Sequence, residues 1–403
     1  MERKVLLAEN QPDFGAGLEK ALTMEPADVV YAVRDSGIKG RGGAGFPTGV
    51  KWNLAGAASS DVKYVLCNAD EGEPGTFKDR ILIEKYAERL IEGMAIGGYA
   101  IGSSKGIIYL RAEYPYLIPA IENARNSFMQ KGLLGKNIRG KGFDFDIEVR
   151  PGAGAYVCGE ETSLIESLEG KRGEPRNKPP YPVNSGYLNK PTIVNNVETF
   201  CAIPHIILQG PKWYADLGVG ECSGTKLFSI SGDVERPGVY ELPMGASLRS
   251  LLELAGATDV QAVQVGGASG RTVPAAEIDR TLSFKDLPPG GSVIVFDNSV
   301  NMVEVLENFM DFFVHESCGQ CTPCREGNLR LMHAAQDIIS GHVTCRECVA
   351  PFFELAEAMI VSSKCGLGQT SANCFVDIIN NFVELADECH CGDCECGCEG
   401  GDE

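Results

Sequence analysis

Short apolar runs alternate with longer stretches of helical period between residues 62 and 149. Lys63-Tyr-Val-Leu-Cys67, Gly106-Ile-Ile-Tyr-Leu110 and Phe145-Asp-Ile-Glu-Val149 read as strands, and residues 80–96 and 117–131 as helices. That alternation predicts an α/β layered domain with a largely parallel sheet. Residues 1–36 read as a helical lead-in ending in Tyr31-Ala-Val-Arg-Asp-Ser36, and the α/β unit is assigned to 37–221, with residues 174–191 as a proline-rich irregular loop. Residues 222–302 change character. Lys226-Leu-Phe-Ser-Ile-Ser231 and Val239-Tyr-Glu-Leu242 read as strands about a turn, 247–255 as an amphipathic helix, and Ser292-Val-Ile-Val-Phe296 as a closing strand, making a compact α+β unit. Helical period returns over 303–388, with cysteines at loops and helix ends. The last segment, 389–403, is cysteine-rich, acidic and too short to fold without a ligand.

Composition narrows the classes. With 403 residues and 44% hydrophobic content the chain can bury several domain cores. A net charge of −19 argues against nucleic acid as a partner, because phosphate contacts need Lys and Arg. The most apolar stretch, residues 91–110, is interrupted by five glycines and Lys105, so no direct membrane insertion is expected. Met1-Glu-Arg-Lys-Val-Leu-Leu does not resemble a signal peptide, so a cytoplasmic protein is expected, with the peripheral arm of a membrane-attached complex as the other setting.

Of the 16 cysteines, twelve lie from Cys318 onward. Cys318-Gly-Gln-Cys321-Thr-Pro-Cys324 places three thiols on a tight loop, and Cys365 supplies a distant fourth. That is the pattern of a [4Fe–4S] ligand set. Zinc more often takes two C-x2-4-C pairs, and disulfides fit poorly with a cytoplasmic chain. A second C-x2-C pair, Cys345 and Cys348, together with Cys389, Cys391, Cys394, Cys396 and Cys398, makes a candidate second site for zinc or another cluster. The competing reading is incidental thiols on a loop and a tail.

Gly40-Arg-Gly-Gly-Ala-Gly-Phe-Pro-Thr-Gly49 contains G-x-G-x-x-G but follows a helical rather than a strand-like segment, so it is no dinucleotide fingerprint. Its glycines still let backbone N–H groups approach a phosphate or planar ring. Arg41 and Lys51 add positive charge, and Phe46 a stacking face. A tight surface turn is the plainer alternative. Two acidic loops follow, Asn68-Ala-Asp-Glu-Gly-Glu-Pro-Gly75 and Cys158-Gly-Glu-Glu-Thr162. Neither contains histidine, which favours hydrogen bonding to a ligand over hydrolysis; ordinary solvated loops are the alternative.

These segments, with Asn195-Asn-Val-Glu-Thr199 and Glu316-Ser-Cys-Gly-Gln-Cys-Thr-Pro-Cys-Arg-Glu326, occur in one order over roughly residues 15–385. Together they closely resemble the NADH-binding, FMN-carrying subunit of respiratory complex I. The same family includes the diaphorase subunits of NAD-linked hydrogenases, formate dehydrogenases and electron-bifurcating enzymes. The resemblance implies a Rossmann-like FMN/NADH domain, a small β-grasp-like domain and a helical bundle carrying a [4Fe–4S] cluster. It implies FMN held by Gly40, Arg41, Gly42, Lys51, Asn68, Asp70, Glu71, Gly159, Glu160, Asn195 and Asn196. It implies NAD(H) held by Gly43, Ala44, Phe46, Lys51, Glu73, Tyr156, Glu161, Lys178 and Tyr181, with Glu161 repelling the extra phosphate of NADPH. The family usually has phenylalanine at position 181 and often an adenine-stacking phenylalanine at 54, where this chain has Tyr181 and Leu54. Hydride would pass from NADH to FMN with no protein acid or base, then single electrons to the cluster. The implied setting is a multi-subunit redox complex with a thioredoxin-like [2Fe–2S] subunit and a larger iron–sulfur subunit. The alternative is an NAD-linked electron-bifurcating hydrogenase or oxidoreductase whose C-terminal cysteines hold an extra metal centre.

Overall fold

A computed structural model of the chain describes residues 4–387. The first sheet is built from β1 (Tyr64–Ala69), β2 (Lys105–Leu110), β3 (Asp146–Pro151) and β4 (Thr192–Asn196), in the order β3-β2-β1-β4 and parallel throughout. Strands covered on both faces read as continuous apolar runs, and β1 and β2 do so. β4 is the strand that the sequence pattern missed. It is five residues long, follows the proline-rich loop directly and ends in two asparagines, leaving too few positions to show a period.

One face of the sheet, through Val65, Cys67, Ile108 and Leu110, packs on helices Lys78–Ile101 and Val197–Gln209. Gly93 makes that contact close, since a Cβ there would stand 2.0 Å from the Phe200 carbonyl oxygen. The other face, through Tyr64, Leu66, Ile107, Tyr109 and Val194, shares one core with Leu306, Phe309, Phe313 and Leu331 of the C-terminal helices. The iron–sulfur region is therefore packed against the α/β sheet rather than hung from it.

The second sheet contains β5 (Thr225–Gly232), β6 (Gly238–Pro243), β7 (Val260–Val265), β8 (Arg271–Pro274) and β9 (Ser292–Asp297), in the order β6-β5-β9-β7-β8 with mixed directions. Helix Leu248–Ala255 joins its core through Leu248, Leu251, Leu252 and Ala255. β7 and β8 were not read from the sequence; both are short and flank a glycine-containing turn. The C-terminal region is helical: Met302–Glu316, Thr322–Ile339, Arg346–Ser362, Gly366–Thr370 and Asn373–Phe382.

The lead-in needs a correction. Its helices are Ala16–Ala21 and Pro26–Asp35, but residues 4–15 form none. The chain there is a strap. Backbone N–H groups of Val5, Leu6 and Leu7 donate to the buried Glu241 carboxylate of β6 at 2.8–3.1 Å, which joins the N-terminus to the second sheet. No helix of the described residues is long and apolar enough to cross a membrane.

Candidate functional site

Parallel α/β sheets bind ligands beyond the carboxyl ends of strands, where neighbouring strands leave in opposite directions. β1 and β4 are such a pair, since β1 is followed in the sheet order by β2 on its other side. Their ends carry the two polar motifs. Asn68 Nδ2 donates to the Gly159 carbonyl at 2.7 Å, and Asn68 Oδ1 accepts from Asp70 N–H at 3.1 Å. Asn196 Nδ2 donates to Asp79 at 2.6 Å, and its Oδ1 accepts from Lys78 Nζ at 3.1 Å and caps the helix from Val197. Asn195 Oδ1 accepts from the buried Trp52 indole at 2.9 Å.

The glycine loop closes over this crevice. Gly40 N–H donates to the Phe46 carbonyl at 2.9 Å, and Arg41 N–H to Thr199 Oγ1 at 2.9 Å. Gly43 has φ +123°, and a Cβ built there meets nothing within 4 Å. Backbone thus faces open space, as a cradle for a planar or anionic group requires. Phe46 and Tyr181 are about half exposed, at 48% and 52%, and so is Leu54. Lys51 Nζ stands 5.9 Å from the Phe46 ring centroid. It also pairs with Glu161 at 3.1 Å, while Lys178 bridges Glu160 at 2.7 Å and Glu161 at 3.2 Å. Burial pushes the Glu161 carboxyl up, but Lys51 and Lys178 outweigh it and hold the acid below its ordinary range. Two carboxylates thus face two ammonium groups.

Two further side chains differ from expectation. The Arg41 guanidinium is buried and donates to the Lys39 and Ser223 carbonyls and the Tyr214 hydroxyl. It ties the loop to the start of the second sheet, and only the backbone and flanking residues face the crevice. Glu71 is likewise turned inward, accepting from Asp79 N–H at 2.8 Å and Arg80 N–H at 3.3 Å at the start of helix Lys78–Ile101. Burial first, then Asp79, raises its pKa to about 7. Asp70 is different. Its Oδ2 is buried with no partner, and burial lifts its pKa to about 7 against the pull of Arg111. An orphaned acceptor at the floor of a glycine-lined crevice is what a bound donor, such as the polar face of a flavin tail, would satisfy. The residues present fit FMN on that ground, and Gly40, Gly42, Asn68, Asp70, Gly159 and Asn196 would hold it.

Glu73 and Tyr156 meet at the second-sheet side. Tyr156 Oη donates to Glu73 at 2.6 Å, and Ser269 donates to the same carboxylate from its hydroxyl at 2.9 Å and its N–H at 3.2 Å. Burial pushes the Glu73 carboxyl up, opposed by these hydrogen bonds. Tyr156 N–H donates to Glu316, two residues before Cys318, at 2.8 Å. Ser269 and Lys78 were not singled out from the sequence, and Thr199 only as the end of a quoted motif; each acts across a long sequence separation, which no local pattern records. Glu316 stood inside a quoted motif, yet its contact with Tyr156 could not be read.

The four expected cluster ligands come together. Cys318, Cys321, Cys324 and Cys365 line one cavity with Val157, Pro175, Ser317, Gln320, Lys364 and Leu367, with about 270 Å³ of space between them, some of it open to solvent. Cys321 and Cys365 are the N-caps of helices Thr322–Ile339 and Gly366–Thr370, and Cys324 lies in the first turn of the former. Helix N-termini favour anionic sulfur. Ser317 Oγ lies 3.3 Å from Cys324 Sγ, and Asn328 Nδ2 donates to it at 3.4 Å. Burial, then the neighbouring thiolates, lifts Cys324 to about 11, so ionised sulfurs here need the positive charge of metal. Among the described residues no three His, Cys, Asp or Glu side chains converge on a single ion. The thiols surround a volume instead, which fits a cubane better than zinc.

Of the second candidate set, Cys345 and Cys348 are buried with sulfurs 2.9 Å apart. Cys389, Cys391, Cys394, Cys396 and Cys398 lie outside the described residues.

The comparisons with known proteins agree with this layout. Residues 33–205 match a Nuo51 FMN-binding domain, 227–272 an SLBB domain, and 304–389 the NADH-ubiquinone oxidoreductase-F iron–sulfur binding region. The chain is 45% identical to the NAD-reducing hydrogenase HoxS subunit alpha of Cupriavidus necator, over 93% of this chain and 62% of that one. It is 46% identical to the NADP-reducing hydrogenase subunit HndC of Solidesulfovibrio fructosivorans, over 94% and 79%. To the F-type subunit of the NADH-quinone oxidoreductase of Escherichia coli K12 it is also 46% identical, over 77% and 73%. The crystal structure of an NAD+-reducing [NiFe]-hydrogenase in the H2-reduced state superposes with TM-score 0.88 at 42% identity, covering 94% of this chain and 66% of the other. The chain thus spans less than two thirds of the HoxS subunit and of the hydrogenase chain. Joined to the FMN-type crevice and the four-thiol cavity, these matches show that the chain belongs to the family of FMN- and [4Fe–4S]-carrying subunits that includes the F-type subunit of complex I and the NAD-reducing hydrogenase subunits.

Proposed function

We propose that this chain is the NADH-oxidising subunit of a larger redox complex, taking hydride from NADH onto FMN and passing electrons singly to its [4Fe–4S] cluster. FMN supplies the conversion between two-electron and one-electron chemistry. The chain's own residues bind and orient. Phe46 and Tyr181 offer aromatic faces for the nicotinamide nucleotide, Lys51 and Lys178 offset its phosphates, and Glu73 with Tyr156 closes the far wall. Asn68, Asp70 and Asn196 hold the flavin tail.

One observation carries the proposal. The short helical segment Tyr156–Gly159 has one end at the four-thiol cavity and the other at the glycine-loop crevice. Val157 lines the four-thiol cavity, and the Gly159 carbonyl accepts from Asn68 in the flavin crevice. Two residues of chain span at most about 7 Å, so an FMN and a cluster held at these two sites would lie close together. The finer placement is also ours: a thioredoxin-like [2Fe–2S] subunit and a larger iron–sulfur subunit as neighbours. The alternative hydrogenase setting draws support from the NAD-reducing and NADP-reducing hydrogenase subunits matched over nearly the whole chain.

Anaerobic titration of the FMN- and cluster-loaded protein with NADH tests the reading. The flavin absorption is expected to bleach with near-stoichiometric NADH. A flavin band that persists under excess NADH would overturn it.

A further inference from the structure

Two consecutive residues ahead of the fourth thiol, Ser363 and Lys364, lack the partners their chemistry asks for. Ser363 is the C-cap of helix Arg346–Ser362 and is 6% exposed, and its hydroxyl oxygen has no hydrogen-bond partner among the described residues. Its backbone is already committed. Ser363 N–H donates to the Met359 carbonyl at 3.0 Å, and its own carbonyl accepts from Gln369 Nε2 at 3.0 Å. A Cβ built on Gly368 would meet Ser363 Oγ at 2.6 Å and Cys324 Cβ at 2.8 Å. The hydroxyl therefore stands beside Cys324, no farther from its Cβ than those two lengths laid end to end. A buried hydroxyl without an acceptor is uncommon and calls for one.

Lys364 is the same case in charge. Three cations hold the loop that carries the first ligand. Arg172 donates to the Cys318 carbonyl at 2.9 Å, Arg325 to the Gly319 carbonyl at 2.7 Å, and Lys364 to Gln320 Oε1 at 2.6 Å. Arg172 is paired with Glu174 at 3.0 Å and Arg325 with Glu326 at 2.9 Å. Lys364 lines the four-thiol cavity, and no carboxylate among the described residues pairs with it. Its ammonium is left to face the cavity's own charge, which is negative once the four sulfurs are ionised.

We infer that Ser363 and Lys364 set the reduction potential of the cluster. The Ser363 hydroxyl donates to a sulfur beside Cys324, joining Ser317 and Asn328, which already reach that thiol at 3.3 and 3.4 Å. The Lys364 ammonium is the counter-charge of the thiolate cage. Hydrogen bonds to sulfur and local charge are the levers by which a protein tunes such a centre. Both act in one direction here. The reduced cluster carries one more negative charge than the oxidised one, so a donor or a cation beside it favours reduction and lifts the midpoint. The inference rests on the cluster assignment but not on NADH as the source of electrons.

Titration of the FMN- and cluster-loaded chain with dithionite, followed by electron paramagnetic resonance, reads the midpoint without NADH. Lys364→Gln should disfavour the reduced cluster about tenfold, a fall of ~59 mV for one electron, and Lys364→Arg should keep the wild-type midpoint. Ser363→Ala should disfavour it about threefold, ~28 mV on the same scale. Iron and flavin content should stay at wild-type values in all three variants. A midpoint that Lys364→Gln or Ser363→Ala leaves in place or raises would overturn the inference. Iron lost from either variant would do so too, since the pair would then be structural support for the cage. Failure of the cluster assignment reads differently: the wild-type protein itself would give no cluster signal to titrate.

Discussion

Replacing Glu198 by glutamine should destabilise the α/β domain severely, and the reason lies in who faces that carboxylate. Glu198, 1% exposed, sits 2.9 Å from Lys78 Nζ and 3.2 Å from Lys226 Nζ, and accepts from Leu227 N–H at 2.8 Å. Burial pushes its carboxyl up, but Lys226, Lys78 and Arg41 outweigh that and hold it ionised. The two lysines answer differently. Lys78 is raised, because Asp79, Glu198 and Glu71 together overcome its burial. Lys226 has only Glu198 as a carboxylate partner and is repelled by Lys78 and Arg41, so burial wins and its pKa falls to about 8 from 10.5. That depression already corresponds to about 3 kcal/mol of cost at neutral pH. Glutamine keeps the volume and the Leu227 hydrogen bond but leaves Lys226 charged and uncompensated, a loss of ~3–5 kcal/mol for a buried pair. The folded form sheds the Lys226 proton above pH 8, whereas the unfolded chain keeps it to about 10.5, so stability contributed through this group rises with pH in that window. Without Glu198 the Lys226 pKa should fall further, so the penalty of Glu198→Gln should shrink as pH rises toward 8 and level off above it at the share carried by Lys78. Urea unfolding followed by tryptophan emission reads this domain, since Trp52 and Trp213 both lie within it. Lys226 Nζ also donates to the Arg41 carbonyl at 3.0 Å, so flavin should be released at lower urea than in wild type. A loss below about 1 kcal/mol at pH 7, or one that grows with pH, would refute the charge argument.

Gly43→Ala should cost only about 1–3 kcal/mol of backbone strain at φ +123°, yet weaken NADH or FMN binding at least tenfold, because the new methyl enters the open crevice. Gly93→Ala is the contrast: its Cβ meets the Phe200 backbone at 2.0 Å, and failure to fold is expected in a thermal melt. Asp70→Asn should stabilise the cofactor-free protein at pH 8 by about 2 kcal/mol, the full shift discounted for partial exposure. Since the folded-state pKa is near 7, above the unfolded 3.8, wild type loses that stability as pH rises from 4 through 7; equal denaturation midpoints at pH 8 would count against it. Cys365→Ala should lower iron content below the four of an intact cluster while flavin binding survives, as iron and FMN assays on the same sample will show.

Much of the fold was legible because its signals are local. β1 and β2 are buried on both faces and carry their apolar runs openly, and Ser247 marks the start of its helix by accepting from Ser250 N–H. β4 was hidden because Asn195 and Asn196, placed for the crevice and the Trp52 indole, break the apolar run that would have announced it. The residue types of the site could be read from Gly40–Gly49, Asn68–Gly75 and Cys158–Thr162, but side-chain direction could not. Arg41 looked like a ligand charge and is a tether, and Glu71 looked like a flavin contact and caps a helix. Both outcomes depend on partners outside the motif that carried the reading, Tyr214 and Ser223 for the one, Asp79 eight residues on and the buried Tyr114 for the other.

Tyr156 shows how the three regions act on one another. Its hydroxyl donates to Glu73 from the first sheet, that carboxylate accepts from Ser269 of the second, and its own N–H is held by Glu316 beside the first cluster ligand. Arg271 and Thr272 of β8 add a second tie, gripping Asp377 of the last helix at 2.6–2.9 Å. The second sheet therefore touches neither cofactor site alone; it braces the nucleotide wall and the cluster helices against each other. If the bracing sets their spacing, Tyr156→Phe removes one donor from a buried acid already pushed upward by desolvation. The Glu73 carboxyl should then move further up, and NADH affinity should fall as the wall it braces loosens. An NADH Kd unchanged by Tyr156→Phe would mean that the hydroxyl contributes packing only.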